Sequence, residues 1–307
     1  MKAAVIDIGT NTFHLLIAEG RSSGIYNFLH QETIPVKLGE GGITKGILTD
    51  AAIERGIAAI KKFKGIIEDH QISSIKIIAT AAVRSASNGQ KFIDRVYTET
   101  GLKINIVNGN EEAELIYTGV KWGLNLKSEK CLIMDIGGGS VEFIICNSTG
   151  LIWKKSYPIG AAKLMALYHR SDPISPDEIK TIQNHLDEIL VELQKECALH
   201  SPQLLIGSSG AFETFAELLA RKFAKEENPH YQKEFEMNVG QFKEMASELL
   251  RSTHNQRASN PAIIPVRVDM IIVSTVLTLY ILDKLQLTQL KLSAYALKEG
   301  ALFHLLN

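Results

Sequence analysis

Apolar and polar residues follow one another along this chain in two rhythms, one of period two and one near 3.6, and the switches between them mark its elements. The opening run AVIDIGTNTFHLLIA, residues 4–18, reads as a strand ending in Asp7, a turn, and a second strand. Asp50–Asp69 then has the spacing of an amphipathic helix, 75–80 that of a buried strand, Asn88–Thr100 a helix, 104–107 a strand and Asn110–Lys121 a helix. Further strands are expected at Cys131–Asp135, Val141–Cys146 and Leu151–Tyr157, and at 204–210 leading into a helix from Ala211. Between these, Ser175 can cap a long helix, with Pro176 in its first position and Glu178 closing a capping box. Ile179, Ile182, Leu186, Ile189, Leu190 and Leu193 would form its single apolar face. Asn228–Asn238 is polar and aromatic and reads as an exposed loop. The longest apolar stretch, Met270 to Leu282, falls short of the roughly 20 residues that span a bilayer, so a buried helix is expected there.

The opening pattern occurs twice. CLIMDIGGGSVEFII, residues 131–145, repeats it at a constant offset, with Asp7 matching Asp135, Gly9 matching Gly137, Thr12 matching Ser140 and Ile17 matching Ile145. Three consecutive glycines remove every β-carbon from the second turn, so its N–H groups can approach another molecule closely. A single such turn could be no more than a tight hairpin. A duplicated one lets two like turns grip one anionic ligand from both sides, through the N–H groups of Gly9, Thr10, Asn11, Thr12 and of Gly137, Gly138, Gly139, Ser140 and the hydroxyls of Thr10, Thr12 and Ser140. Strands and helices alternate after each hairpin, which predicts an α/β fold of two domains, 1–122 and 123–307, with a ligand cleft between them and a short junction near 122–129. The last helix could pack back onto the first domain.

Composition narrows the choice. At 307 residues, 45% hydrophobic and 22% charged, the chain suits an ordinary globular protein of about two domains. A net charge of −1 gives no global field for nucleic acid or an anionic membrane, so neither is an expected partner and a polyanion must be held by local donors. Cys131, Cys146 and Cys197 have neither metal-ligand spacing nor the density of a disulfide scaffold. With no uninterrupted apolar leader, this points to a reducing compartment, the cytoplasm.

Other residues have both a bland and a chemical reading. Arg84 follows a buried strand, where open α/β sheets expose their ligand edge, and could chelate two phosphate oxygens or lie solvated. Glu111 and Glu112 start a helix, where carboxylates favour the dipole and need no other role. Glu142 could simply face solvent from its strand. Lys37 and Arg267 are candidate contacts to a longer anion, or surface charges. His14 stands where Glu142 stands in the second repeat, in an apolar strand that favours a satisfied core histidine.

Taken in order, VIDIGTNTFHLLI, VKLGEGG, ATAAVRSASN, NGNEEAELIYTGV, MDIGGGSVEFI and GSSGAFETFA resemble the successive motifs of the exopolyphosphatase and guanosine pentaphosphate phosphohydrolase family, and the likeness runs on to YALKEGAL at 295–302. The resemblance implies two actin-like (ribonuclease H-like) domains and release of terminal phosphate from inorganic polyphosphate or guanosine pentaphosphate. It places the water-activating base on Glu112, with Arg84 and Glu142 as its catalytic companions, and Mg²⁺ on Asp135 and Glu142, directly or through waters. The turn Gly207, Ser208, Ser209, Gly210 resembles the place where ATP-using relatives hold adenosine or further phosphates. A homodimer is expected. An acceptor-dependent kinase of the same superfold and a non-catalytic alarmone sensor are the competing readings. Lys298 stands where the family often has Arg, and Ser274 where it commonly has Gly. Long members carry a further helical region after YALKEGAL, which leads us to expect distributive action on short substrates.

Overall fold

The computed structural model describes residues 1–20, 26–223 and 232–307. The first sheet is built from β1 (Lys2–Ile8), β2 (Phe13–Gly20), β3 (Tyr26–Ile34), β4 (Ser74–Ala79) and β5 (Asn105–Ile106), in the order β3-β2-β1-β4-β5. The second contains β6 (Cys131–Ile136), β7 (Val141–Cys146), β8 (Leu151–Tyr157), β9 (Leu204–Ser208), β10 (Glu234–Met237) and β11 (Gln289–Ser293), in the order β8-β7-β6-β9-β11-β10. In each, three consecutive antiparallel strands are followed by two that run parallel to the first. The same topology therefore occurs twice, as the repeated hairpin requires, and it is the actin-like arrangement. β10 is an addition at the edge of the second sheet.

Helices cover both faces of each sheet. α1 (Asp50–Asp69), α2 (Ala81–Ser85) and α3 (Gly89–Thr100) belong to the first unit, and Gly101, at φ 73°, ends α3. α5 (Ala161–Tyr168), α6 (Pro176–Ile189), α7 (Val191–His200), α8 (Ser209–Phe223), α9 (Val239–Leu250), α10 (His254–Ala258) and α11 (Met270–Lys284) belong to the second. Two helices, α4 (Gly109–Gly123) and α12 (Leu297–Leu306), lie between the sheets and share one core with both, so the final helix returns to β1 and α4.

Strand parity decides which residues reach that middle layer, because alternate side chains point to opposite faces. On β1, Ala4, Ile6 and Ile8 pack toward α1 and α3, while Ala3 and Val5 face α4 and α12. On β6, Leu132, Met134 and Ile136 face the outer helices, and Cys131 and Ile133 the middle layer. Asp7 and Asp135 have the parity of the second set, as do His14 beside Leu16 and Glu142 beside Ile144. Both hairpins thus aim their polar side chains into the layer between the sheets.

Where α4 and α12 cross, backbone touches backbone. A β-carbon on Gly300 would lie 1.8 Å from the Leu115 carbonyl oxygen, and one on Gly119 1.9 Å from that of Ala296.

Several expectations need correction. The long helix after Ser175 is two helices, broken at Leu190, whose ψ of 18° departs from the helical value, and Ile179 and Ile189 lie at the edge of the core. The 104–107 strand shrinks to two exposed residues. Of the loop expected over 228–238, residues 228–231 lie outside the described residues, and 234–237 form β10, paired antiparallel with β11. The Met270 helix is buried, and no helix among the described residues is long and apolar enough to cross a membrane.

Candidate active site

The two hairpin turns meet at a cavity of about 160 Å³, also lined by Glu112 from α4, Lys298 from α12, and Ser209, Glu213, Arg267 and Met270 from the second unit.

Each turn is oriented by what binds its carbonyls. The first N–H groups of α5 take the second turn: Ala161 donates to Gly137 O and Ala162 to Gly138 O, both at 2.9 Å. Across a trans peptide the next N–H points the opposite way, so those of Gly138 and Gly139 face away from α5. In the first turn, Gly39 N–H donates to Thr10 O at 3.0 Å and Lys37 N–H to Asn11 O at 2.8 Å, which turns the N–H groups of Asn11 and Thr12 outward in the same manner. Neutral backbone donors of both repeats are thereby left pointing away from the groups that hold their carbonyls. The glycines also let the turns nest, since a β-carbon on Gly138 would lie 2.4 Å from Asn11 Nδ2 and 2.7 Å from Thr10 Cβ, and one on Gly139 2.8 Å from Ala81 Cβ. Asn11 closes the contact by donating to Met270 Sδ at 3.0 Å.

Glu111 and Glu112 part company at the start of α4. Glu111 completes a capping box, accepting from Asn108 N–H at 2.8 Å. Glu112 turns inward, 7% exposed, and accepts from Arg84 Nη1 at 2.7 Å while the same nitrogen donates to Val107 O at 2.9 Å. Burial raises the Glu112 pKa to about 7 against the opposing pull of Arg84.

The other carboxylates are held more tightly. Glu142 is 1% exposed, not facing solvent, and accepts from Ser156 Oγ at 2.6 Å. Asp135 accepts from Ser208 Oγ at 2.6 Å and Ser209 Oγ at 2.7 Å. Burial raises both pKa values, and Glu112 and Asp135 raise that of Glu142 further. Burial, with Glu112 next, pushes Asp7 up to about 8 although Lys298 opposes the rise. Burial alone would lower the Lys298 pKa, yet Glu299 at 2.9 Å and Glu213 hold it above the usual lysine value. His14 bonds Thr12 and Thr33 hydroxyls, each at 2.9 Å, and burial keeps it neutral with a pKa of about 3.

The cavity wall therefore carries Gly9, Thr10, Asn11, Thr12, Gly137, Gly138, Gly139, Ser140, Glu112, Asp135, Ser209 and Gly210 together, with Arg84 and Glu142 behind it through Glu112 and Ser140. Gly207 and Ser208 do not reach it. They end β9, Gly207 against the Phe212 ring and Ser208 fully buried on Asp135, so the expected turn is a strand-to-helix corner that braces a carboxylate. Arg267 lies over Gly210, donating to Glu213 at 2.8 Å and Thr214 at 3.1 Å. Lys37 serves the site through its backbone, its side chain being half exposed beside Glu40. Sequence reasoning missed Ser156 and gave Asp7 and Lys298 no definite place in the cleft; parity on β1 was the available signal for Asp7.

A crystal structure of an exopolyphosphatase from Cytophaga hutchinsonii superposes with a TM-score of 0.97 at 37% identity, covering 100% of this chain and 98% of that one. The Aquifex aeolicus PPX-GPPA enzyme gives 0.82 at 25% identity, over 99% of each chain. A guanosine-5'-triphosphate,3'-diphosphate pyrophosphatase of Pseudoalteromonas translucida is 30% identical over 70% of this chain, which spans 43% of that relative's length. The model of the Ppx/GppA phosphatase family matches residues 16–307, from within β2 onward, and with the twice-built sheet and its paired turns this decides the matter: the chain belongs to that family.

Proposed function

We propose that this protein hydrolyses a terminal phosphoanhydride bond, releasing orthophosphate from inorganic polyphosphate or guanosine pentaphosphate. The observation that carries the reading is Glu112: a carboxylate with a pKa of about 7, held by Arg84, at the edge of a cavity whose two turns present backbone donors to an anion. Such hydrolysis needs the phosphoryl held, its charge balanced and a water placed in line. The turn amides and Thr10, Thr12 and Ser140 hold; Glu112 accepts the water's proton; Arg84 orients Glu112 and draws off part of the developing charge.

The donor set suits a divalent cation. Asp7, Glu112, Asp135, Glu142 and Glu213 outnumber the neighbouring cations Arg84, Arg267 and Lys298, and burial holds the first four carboxylates toward their neutral form. No cluster of three or more His, Cys, Asp or Glu among the described residues is poised as a complete metal cage. All the donors are oxygens, which fits Mg²⁺, an ion that keeps several waters and takes only one or two protein carboxylates. Asp135 and Glu142 would hold it, directly or through waters, with Ser208, Ser209 and Ser156 fixing their orientation. The bound ion supplies positive charge against the phosphate oxygens.

The reading includes a division into 1–122 and 123–307, with α12 crossing back to the first unit, so that ligand binding draws the units together, and action as a homodimer in the cytoplasm. A phosphate-release assay on long and short polyphosphate, guanosine pentaphosphate and ATP, with and without Mg²⁺, tests it. Phosphate release without an added acceptor is expected from at least one of the first three. Release only when an acceptor is present would establish a kinase instead, and binding without release a sensor.

A further inference from the structure

Beyond the Glu112 end of the cavity lies a second depression of about 550 Å³, which shares Ala81, Gly139 and Ser140 with the first. Arg84, Lys155 and Lys163 line it together with Asn108 and Asn110, and no lining residue is acidic. Lys155 is drawn toward Glu192, outside the groove. Lys163, on the first turn of α5, makes no ion pair among the described residues. In a chain of net charge −1, this is a local concentration of donors without carboxylates, whereas the cavity itself carries Asp7, Glu112, Asp135 and Glu213.

In-line displacement assigns the two depressions different tasks. The attacking water, the phosphorus and the leaving oxygen must lie nearly on one line, with the water on the side of Glu112. Arg84 is bonded to Glu112 and lines only the groove; Ser209, Gly210 and Arg267 line only the cavity. The leaving chain therefore extends toward Arg267. As the water oxygen bonds to phosphorus, its proton passes to the Glu112 carboxylate. The bond to the leaving oxygen breaks, and that oxygen departs with the electron pair. The orthophosphate so formed stays on the Glu112 and Arg84 side, while the shortened chain still fills the way it came in.

Resting on the hydrolytic reading above, we propose that the groove is a binding site for product orthophosphate and its path of release, with Lys163 as the anchoring cation and Lys155 as the outer one. A tetrahedral oxyanion with one to two negative charges suits two ammonium groups, the Arg84 fork and neutral amides better than it suits the carboxylate-lined cavity.

The test combines direct binding with product inhibition in the full chain. Inorganic phosphate is titrated calorimetrically into wild type, Lys163→Met and Lys163→Arg, after thermal unfolding has shown all three to be folded. Its inhibition constant and the KM for tripolyphosphate are then measured. Lys163→Met is expected to weaken phosphate binding and raise the inhibition constant about ten-fold, with KM within two-fold of wild type and Lys163→Arg close to wild type. An unchanged inhibition constant alongside a KM that rises with chain length would place the polyphosphate chain in the groove and overturn the proposal. Unchanged phosphate affinity in Lys163→Met overturns it as well. If wild type hydrolyses none of the substrates, the hydrolytic reading itself fails, which is a separate outcome from active enzyme with an indifferent Lys163.

Discussion

Arg84 and Glu112 are joined by a 2.7 Å hydrogen bond that ties the helix after β4 to the first turn of α4, and the guanidinium is itself anchored on the Val107 carbonyl. The carboxylate is thus held in one orientation before any substrate arrives. Replacing Glu112 by Gln retains shape and removes the proton acceptor. Turnover should fall about 10²–10⁴-fold with KM little changed. Steady-state kinetics on the preferred substrate check this, and a kcat within a few-fold of wild type would remove Glu112 from the mechanism.

The same pair sets the pH profile. A base must be ionised to accept a proton, and burial holds the Glu112 pKa at about 7 in the ligand-free protein, so kcat/KM should climb with pH to a midpoint there and then level off. Arg84 favours the charged carboxylate, so its loss raises the pKa. The expected outcome for Arg84→Met is a lower rate and a midpoint displaced to higher pH. A midpoint that stays in place or moves downward contradicts the pairing.

Gly138 touches the opposite turn as well as facing the cavity. In Gly138→Val the added carbon meets Asn11 Nδ2 and Thr10 Cβ, at separations no side chain tolerates, so the turns must part and the Asn11–Met270 bond is lost. Substrate affinity should drop at least ten-fold, and small-angle scattering should show a more open particle. Normal affinity in a folded variant would reduce the triple glycine to a structural turn.

Asp7 makes stability depend on pH in metal-free protein. Its folded pKa of about 8 lies above the ordinary 3.8, so between those values the folded chain binds the extra proton more tightly than the unfolded chain does. Stability contributed this way is complete below about pH 4 and is lost as pH rises through 8. With EDTA present, wild type should lose several degrees more of Tm between pH 6 and 8.5 than Asp7→Asn does. Equal losses would show that Asp7 is not held in its neutral form.

Much of the architecture was legible in the sequence because the hairpin is written twice and strand parity carries Asp7, Asp135, His14 and Glu142 to one face. The break at Leu190 was not, since Leu186, Leu190 and Leu193 keep helical spacing through it. Ser156 was hidden by a bulge between Ile145 and Cys146, which shifts the β7–β8 register so that a straight count from the turn misses its place opposite Glu142. Nothing local separates Glu111 from Glu112; only the capping box spends one and frees the other. The Gly207–Gly210 motif is similar, because a strand running straight into a helix and a phosphate turn share the same small residues.

The crossing of α4 and α12 makes a fulcrum without a cushion. Gly119 lies seven residues from Glu112, a lever arm of about 10 Å at 1.5 Å per residue. On the other helix Lys298 is two residues from Gly300. A methyl group at position 300 must pry the helices apart, and the displacement is delivered to the carboxylate and to the ammonium group at once. Gly300→Ala should therefore cost more in kcat than in KM although it touches no ligand, and restoration of kcat by a second substitution that relieves Leu115 is not expected, because the obstacle there is a main-chain oxygen. The tuning of this site is mechanical as well as electrostatic, and its bearing is a pair of absent side chains.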